Sequence, residues 1–456
     1  MVSKLNIVIL AAGLGKRMQS SLPKVLHELA GKPLLAHVVD LARNLTPDQI
    51  CIVIGHGGDL VKEKILGSDL TWVTQIPQLG TGHALLQAQP HLDQTGATLV
   101  LYGDVPLVGI ETLKRLVNAV SEKQCGLLAA VLENPEGYGR IIREQDTSNI
   151  CRIIEQKDAD ASQLAIHEIN TGIMIIPNGY LHEWLPKLEN KNAQQEYYLT
   201  DIIKMAVDQN ISVISSEAEH SWEILGVNSK QQLVELERIY QKEYAKTLLA
   251  KGVMLIDAAR VDVRGELICG SDVEIDVNCI FEGTVILEDN VKVKANCILK
   301  DVTVAKGSTI HPFSHIEEAK IGQNCKIGPY ARIRPETQLN NNVHIGNFVE
   351  IKKSQIAAGS KVNHLSYIGD TIIGQNVNIG AGTITCNYDG AYKHQTIIED
   401  NVFVGSDTQL VAPVKVSYGS TIGAGSTITR DTPKNELTLS RSKQISLTGW
   451  KRPSKT

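Results

Sequence analysis

Apolar residues in the first half of the chain come in short runs set apart by longer stretches of helical spacing. The runs near 6–11, 50–54, 71–75, 98–103, 126–132 and 172–176 read as buried strands, and segments such as 33–44 and 111–121 as helices. Strand alternating with helix predicts an α/β domain around a mostly parallel sheet, over residues 1–228. The stretch "NSKQQLVELERIYQKEYAKTLLAKG" (228–252) then predicts one long helix. Ser229 and Gln232 stand at capping-box spacing, Leu233, Leu236, Tyr240 and Tyr244 form its apolar stripe, and Gly252 ends it. Such a helix is a linker over 229–252, an arm of about 30 Å at 1.5 Å per residue.

Past residue 260 the period becomes six. Aliphatic residues, with one cysteine and one phenylalanine, recur at 263, 269, 275, 281, 287, 293 and 299, then at 304, 310 and 316, and again from 321 to 351. The phase runs on through 356, 362, 368, 373 and 379 and, after an interruption, from 398 to 428. A six-residue period held this long predicts a parallel β-helix over 253–437, each hexad one wall and three hexads one coil, with a tail at 438–456. Periodicity does not give its handedness. The interruption, "TCNYDGAYKHQTI" (385–397), reads as a coil that extrudes a functional loop, or as a tolerated surface insertion.

Composition narrows the class. The chain has 456 residues, enough for two or three domains, and is 43% hydrophobic but only 4% aromatic, an aliphatic mass that suits stacked β-structure. A net charge of −5 gives no general basic footprint, which argues against nucleic acid as a partner. Eight scattered cysteines without Cys-x-x-Cys spacing fit neither a zinc site nor a disulfide framework, and suit a reducing cytoplasm. No apolar run reaches membrane-spanning length, and the one ending at Ala12 is too short for a signal segment, so a cytoplasmic protein without membrane insertion is expected.

The stretch "VILAAGLGKRMQSSLPKVL" (8–26) has the look of a phosphate-handling turn, yet it lacks the third glycine of a dinucleotide fingerprint and the spacing of a P-loop. A strand, a small-residue turn and two separated cations, Arg17 and Lys24, remain. The small turn lets a polyanion approach the backbone and the cations meet its charge; the bland alternative is a tight turn with solvated basic residues. Asp104 closes the run "ATLVLYGDVPLV", and in an open α/β sheet a ligand lies beyond the carboxyl ends of the strands. A carboxylate there beside a triphosphate calls for a hard divalent cation, usually Mg²⁺; alternatively Asp104 only forms a turn.

In the repeat region Ile333 and Ile351 are one coil apart, so Arg334 and Lys352 project from equivalent positions about 4.8 Å apart. Stacked cations repel unless an anion joins them, and a sugar phosphate would do so; two solvated basic residues are the alternative. His364 lies in the coil that begins at Ile351, within about one wall of Lys352, where an imidazole could take a proton from an amine attacking a thioester, or could be structural.

The motifs "LAAGLGKRMQSSLPKVL", "QLGTGHA" (78–84), "LYGDVPL" (101–107), "GYGRI" (137–141), "EQKDA" (155–159), "EINTGI" (168–173), "EYYLTD" (196–201) and "GVNS" (226–229) together resemble the sugar-nucleotide pyrophosphorylases. The Ile-Gly repeats resemble the hexapeptide acyltransferases, whose prism is left-handed and usually trimeric. With both halves joined, nearly the whole chain is similar to the bacterial bifunctional N-acetylglucosamine-1-phosphate uridylyltransferases/glucosamine-1-phosphate acetyltransferases.

The resemblance implies a Rossmann-like nucleotidylyltransferase domain, a helical linker and a left-handed β-helix. It implies acetyl transfer from acetyl-CoA to glucosamine 1-phosphate, then uridylyl transfer from UTP to N-acetylglucosamine 1-phosphate, giving UDP-N-acetylglucosamine for cell-wall synthesis. Leu10, Ala11, Ala12 and Gly13 would hold the nucleotide, Gln75, Gly80 and Thr81 would read uracil, and Arg17 and Lys24 would stabilise the phosphates. Tyr102, Gly103, Gly139, Glu155 and Asn170 would line the nucleotide-sugar site, and Asp104 and Asn228 would bind Mg²⁺. His364 would be the base, with Arg334, Lys352, Tyr367 and Asn378 on the acceptor and Ala381, Asn387, Tyr388, Ser406, Ala424 and Arg441 on acetyl-CoA. A single convex prism has no deep cleft, so a homotrimer is implied for the acetyl transfer. One departure is Lys16, where the family usually has Thr, and it bears on the detail of the phosphate contacts.

Two other readings compete: a single-activity nucleotidylyltransferase whose β-helix only trimerises, and a non-enzymatic scaffold. The first leaves Arg334, Lys352, His364 and the loop without a role, the second the motifs at 10–24 and 101–107.

Overall fold

The computed structural model describes residues 3–144, 147 and 149–455, so positions 1, 2 and 456 of the expected outer segments lie outside the described residues. The chain divides into two compact units between Tyr240 and Gln241, within the helix Lys230–Ala250.

In the first unit, nine strands form one sheet: β1 Leu5–Ala11, β2 Gln49–Ile54, β3 Leu70–Thr74, β4 Ala97–Tyr102, β5 Gln124–Val131, β6 Gly139–Arg143, β7 Ile150–Ile154, β8 Glu168–Pro177 and β9 Ser212–Glu217. The order along the sheet is β9-β5-β8-β4-β1-β2-β3, with β6 on the end of β8 and β7 on β6. Pairings of β1 with β2 and β4, and of β2 with β3, are parallel, as short apolar runs joined by helical crossovers require. β8 instead runs antiparallel to both β4 and β5. Sequence reading did not find the hairpin β6–β7 or the strand β9. The sheet is buried on both faces by separate apolar clusters, one around Ile7, Leu35 and Leu99, the other around Val8, Leu85 and Trp184. Double burial is why β1, "LNIVILA", is apolar without alternation from Ile7 to Ala11.

The long helix starts two residues later than its sequence signal and stops two residues earlier, at Lys230 and Ala250. Its cap is split. Ser229 Oγ accepts from Gln232 N–H, but the Gln232 side chain accepts from Asn228 N–H rather than from Ser229.

The second unit is a parallel β-helix of three walls. Ile345, Val362, Ile379, Val404 and Ile422 stack in register on the first; Ile333, Ile351 and Ile368 on the second; Leu339, Ile356, Ile373, Ile398 and Val416 on the third. The hexad positions point inward and form one continuous core; Cys269 alone among them is only partly buried. One element of the repeat differs from the sequence reading. Thr385, buried and paired with Leu410, fills the second wall in place of an aliphatic residue, so the extra chain is confined to about 387–395. Its hydroxyl donates to the Gly369 carbonyl and accepts Gly369 N–H, and these bonds satisfy a polar group in an apolar column.

Candidate active sites

In the first unit, the ends of β1 and β4 and the start of the helix Thr81–Ala88 surround a cavity of about 300 Å³. Leu10, Ala11, Ala12, Gly13, Lys24, Gln75, Gly80, Thr81, Tyr102 and Asp104 all line it, together with Leu14, Val25, Gln78, Ala84 and Glu196. The small residues after β1 keep the turn open. Gln78, which the sequence reading quoted but gave no role, donates to Ala12 O at 2.6 Å and so fixes that turn. Gln75 is buried and donates Nε2 to Gly80 O at 3.0 Å, with His83 Nδ1 at 3.1 Å. No hydrogen bond among the described residues engages its Oε1, which is left for a ligand donor.

Lys24 leaves a short turn stiffened by Pro23 and runs inward. Its Nζ stands 2.5 Å from Asp104 Oδ2 and 3.0 Å from Asn228 Oδ1, with side chains only 12% and 16% exposed for Lys24 and Asp104. Val227 N–H donates to Asp104 O, which brings Asn228 to the end of β4. The two oxygens converge on one cation, the Lys24 ammonium, and hard oxygen donors of this kind are the type that Mg²⁺ takes. Among the described residues no group of three or more His, Cys, Asp or Glu gathers, so a metal here would complete its shell with phosphate and water. Arg17, exposed on the turn Lys16–Met18, is not among the lining residues.

The sugar candidates sit beside Tyr102. Gly139 pairs with Asn170 across β6 and β8, and a Cβ on Gly139 would lie 3.5 Å from Glu155 Oε2. A Cβ on Gly172, whose φ is +85°, would meet the Tyr102 ring at 2.6 Å, so only glycine leaves room for that ring. Glu155 accepts from Thr200 Oγ1 at 3.0 Å; burial, then Asp201, Asp158 and Glu196, push its carboxyl above the usual range. Gly103 does not line the cavity; its N–H donates to Leu10 O and ties β4 to β1.

In the second unit, Arg334 and Lys352 do stack on the second wall, but Arg334 is already paired with Glu350 at 2.8 Å. The strongest repulsion on Lys352 comes from Lys393, which the extruded loop brings to it. The Lys393 ammonium, then desolvation and Arg334, hold Lys352 below the ordinary lysine range, opposed by Asp370. Within the loop, Asp389 accepts from Ala391 N–H, Tyr392 N–H and His394 Nε2. Asn387 donates to Asp370 at 2.5 Å and ties the loop to the second wall. Glu350 and Lys393 were not singled out in the sequence. Glu350 directly precedes a hexad position beside the stacked cations, a signal that could have found it; Lys393 has no repeat phase.

His364 ends the first-wall strand Lys361–His364, and its Nδ1 lies 3.0 Å from Asn347 Oδ1 on the coil before. Its carbonyl accepts from Gly382 N–H, beside Ala381. Ala381, Ser406 and Ala424 follow on successive coils, joined by Asp407 N–H to Ala381 O and Gly425 N–H to Ser406 O, and Arg441 donates to Ala424 O at 2.8 Å. Tyr388 is exposed on the loop. Asn378 stands on the first wall between Lys361 and Phe403, not on the second with Arg334, Lys352 and Tyr367. Within one chain these acceptor candidates are on different walls.

A doubly covered sheet with a small-residue turn and a buried lysine–aspartate pair beyond its strand ends, followed by a β-helix, defines a nucleotidyltransferase domain joined to a repeat domain. The family model of the MobA-like NTP transferase domain matches residues 7–252, and that of the GMPPB C-terminal domain matches 263–337 and 321–416. A curated relative from Nitrosospira multiformis, Bifunctional protein GlmU, is 64% identical over 454 residues, covering 100% of this chain and 99% of its own. Proteins of the same name from Nitrosomonas europaea and Ralstonia nicotianae are 62% and 58% identical, each over 99% of both chains. The chain belongs to this family of bifunctional GlmU proteins, and its β-helix is left-handed.

Proposed function

We propose that the chain makes UDP-N-acetylglucosamine in two steps, an acetyl transfer at the β-helix followed by a uridylyl transfer at the N-terminal unit. The observation that carries this reading is the presence of two chemically distinct constellations on one chain: the Lys24–Asp104–Asn228 cluster beside a small-residue turn, and His364 at the foot of the Ala381–Ser406–Ala424 column.

In the acetyl transfer, the amine of glucosamine 1-phosphate attacks the thioester carbonyl of acetyl-CoA. A C–N bond forms, Nε2 of His364 takes the amine proton, the C–S bond breaks, and that proton passes to the departing CoA thiolate. Arg334, Lys352 and Lys393 hold the phosphate, and their repulsion in the free chain favours the anion that relieves it. Tyr367 and Asn378 complete the acceptor contacts, and Asn387, Tyr388 and Arg441 those of the CoA.

In the uridylyl transfer, a phosphate oxygen of N-acetylglucosamine 1-phosphate attacks the α-phosphorus of UTP and the bond to the β-phosphate breaks, releasing pyrophosphate. The barrier is the meeting of two anions, so Lys24 and Arg17 act by pre-placed charge and no protein nucleophile is needed. Mg²⁺, held by Asp104 and Asn228, would supply further charge neutralisation on the triphosphate when bound. Gln75 Oε1 accepts the uracil N–H, and Gly139, Glu155 and Asn170 hold the amino sugar.

The reading includes a homotrimer. Phe313, Tyr330, Phe348 and Leu365 occupy one left-handed corner on successive coils, 50, 47, 56 and 64% exposed, with ring centroids 4.9 and 5.2 Å apart. Such a column beside His364, and acceptor candidates split between walls, support a site completed by a second copy. It also includes a cytoplasmic location, supported by eight free cysteines, and the division 1–228, 229–252, 253–437 and 438–456. The test is mass detection of UDP-N-acetylglucosamine from glucosamine 1-phosphate, acetyl-CoA, UTP and Mg²⁺. Product should vanish when any one is omitted; N-acetylglucosamine 1-phosphate accepted but glucosamine 1-phosphate never acetylated would favour the single-activity reading.

A further inference from the structure

First-wall strands of the β-helix are two residues long with two exceptions, His344–Asn347 and Lys361–His364, which run to four. The added length brings Asn347 into register opposite His364. It depends on Gly346, where a Cβ would stand 2.0 Å from Asn363 O and 2.7 Å from Asn363 C, so only glycine lets these two coils close. The backbone is then fixed on both sides: Leu365 N–H donates to Asn347 O, and the His364 carbonyl accepts from Ser366 Oγ and Gly382 N–H. Across this closed register Asn347 Oδ1 lies 3.0 Å from His364 Nδ1.

We propose that Asn347 is a positioning residue for acetyl transfer: its Oδ1 accepts the Nδ1 proton of His364, so that the lone pair stands on Nε2, the nitrogen that takes the amine proton. The inference rests on His364 being the base. An imidazole free to choose its tautomer presents a lone pair on the reactive nitrogen only part of the time, and a ring free to rotate presents it in the wrong direction. A neutral amide fixes both without adding charge. A carboxylate there would hold the ring in the same way but stabilise the imidazolium, raising the pKa of the base. Of the titratable groups, His344 on the preceding strand interacts with the ring, and Lys361 on the ring's own strand interacts with His344; the Gly380–Thr383 stretch above brings none. Burial and the surrounding Lys326, His311 and Lys361 hold His344 below the usual histidine range, so it is neutral at neutral pH.

The test compares the full-length protein with Asn347→Ala, Asn347→Asp and His364→Ala, reading acetyl-transfer rate against pH and the ¹⁵N shifts of the His364 imidazole, with uridylyl transfer as the control for folding. Asn347→Ala should lower kcat by a factor on the order of 10 to 100 with KM for glucosamine 1-phosphate within about twofold, the range lost when one supporting contact of a catalytic base is removed. Asn347→Asp should keep much of the high-pH rate while the acid limb moves up by about one pH unit. The wild-type ring should show its proton on Nδ1, and Asn347→Ala should mix the tautomers. Wild-type imidazole protonated on Nε2, or both Asn347 variants overlying the wild-type rate and pH profile while His364→Ala is inactive, would overturn the proposal and leave His364 as base. Full acetyl transfer by His364→Ala would overturn both readings.

Discussion

Lys393→Ala should move stability and substrate affinity in opposite directions. In the free protein the exposed Lys393 stands against the partly buried Lys352, and the pair is the first cause of the lowered Lys352 pKa. Exposed like-charge pairs are screened, so relief of this one should stabilise the protein by only about 0.5 kcal/mol. In a unit of roughly 200 residues that raises Tm by about 1–2 °C. In the proposed complex with glucosamine 1-phosphate, the same ammonium would make a charge-assisted hydrogen bond to phosphate, whose loss costs about 1.5–3 kcal/mol. KM for glucosamine 1-phosphate should therefore rise by roughly 10- to 100-fold while kcat changes little. Initial rates by thiol release, with calorimetric melting of the same preparation, check both. An unchanged KM, or a lowered Tm with a raised KM, would refute the reasoning, because the lysine would then be part of the loop's packing rather than a substrate clamp.

Glu155→Gln should show a related exchange at the other site. A carboxyl whose pKa is raised by burial, Asp201, Asp158 and Glu196 favours the fold when protonated and loses that contribution as pH rises through its raised value. The glutamine variant should thus be the more stable protein at neutral pH, the difference closing as pH falls through the ordinary glutamate range, while uridylyl transfer weakens; urea midpoints at several pH values check the sign. Phe348→Ser should remove the middle contact of the exposed column next to Tyr330, giving a smaller species by light scattering, lost acetyl transfer and retained uridylyl transfer.

The hexad phase was legible because an inward position that recurs every six residues has to be apolar, and all but Cys269 of those positions are buried. Thr385 escaped for the reason that makes it possible: its hydroxyl is satisfied by the Gly369 backbone, so polarity hid an inward position. The antiparallel course of β8 left no trace, since a strand buried on both faces reads the same in either direction. At the first site, the turn, Gln75, Gly80, Thr81, Tyr102 and Asp104 were read by resemblance and do line one cavity. What no spacing could give is that Lys24 lies on Asp104 and Asn228, 80 and 204 residues away. Lys393 was out of reach because an insertion has no repeat phase by which to place its side chains.

The central claim, two independent active sites on one chain, is tested most directly by complementation between two variants. Asp104→Ala should acetylate but not transfer uridylyl groups, and His364→Ala should do the reverse. From glucosamine 1-phosphate, acetyl-CoA, UTP and Mg²⁺, neither alone should form UDP-N-acetylglucosamine. Mixed, they should restore its mass signal, with N-acetylglucosamine 1-phosphate passing between them through solution. A mixture as inactive as its components, although each variant keeps its own half-reaction, or either variant alone making the full product, would contradict the assignment.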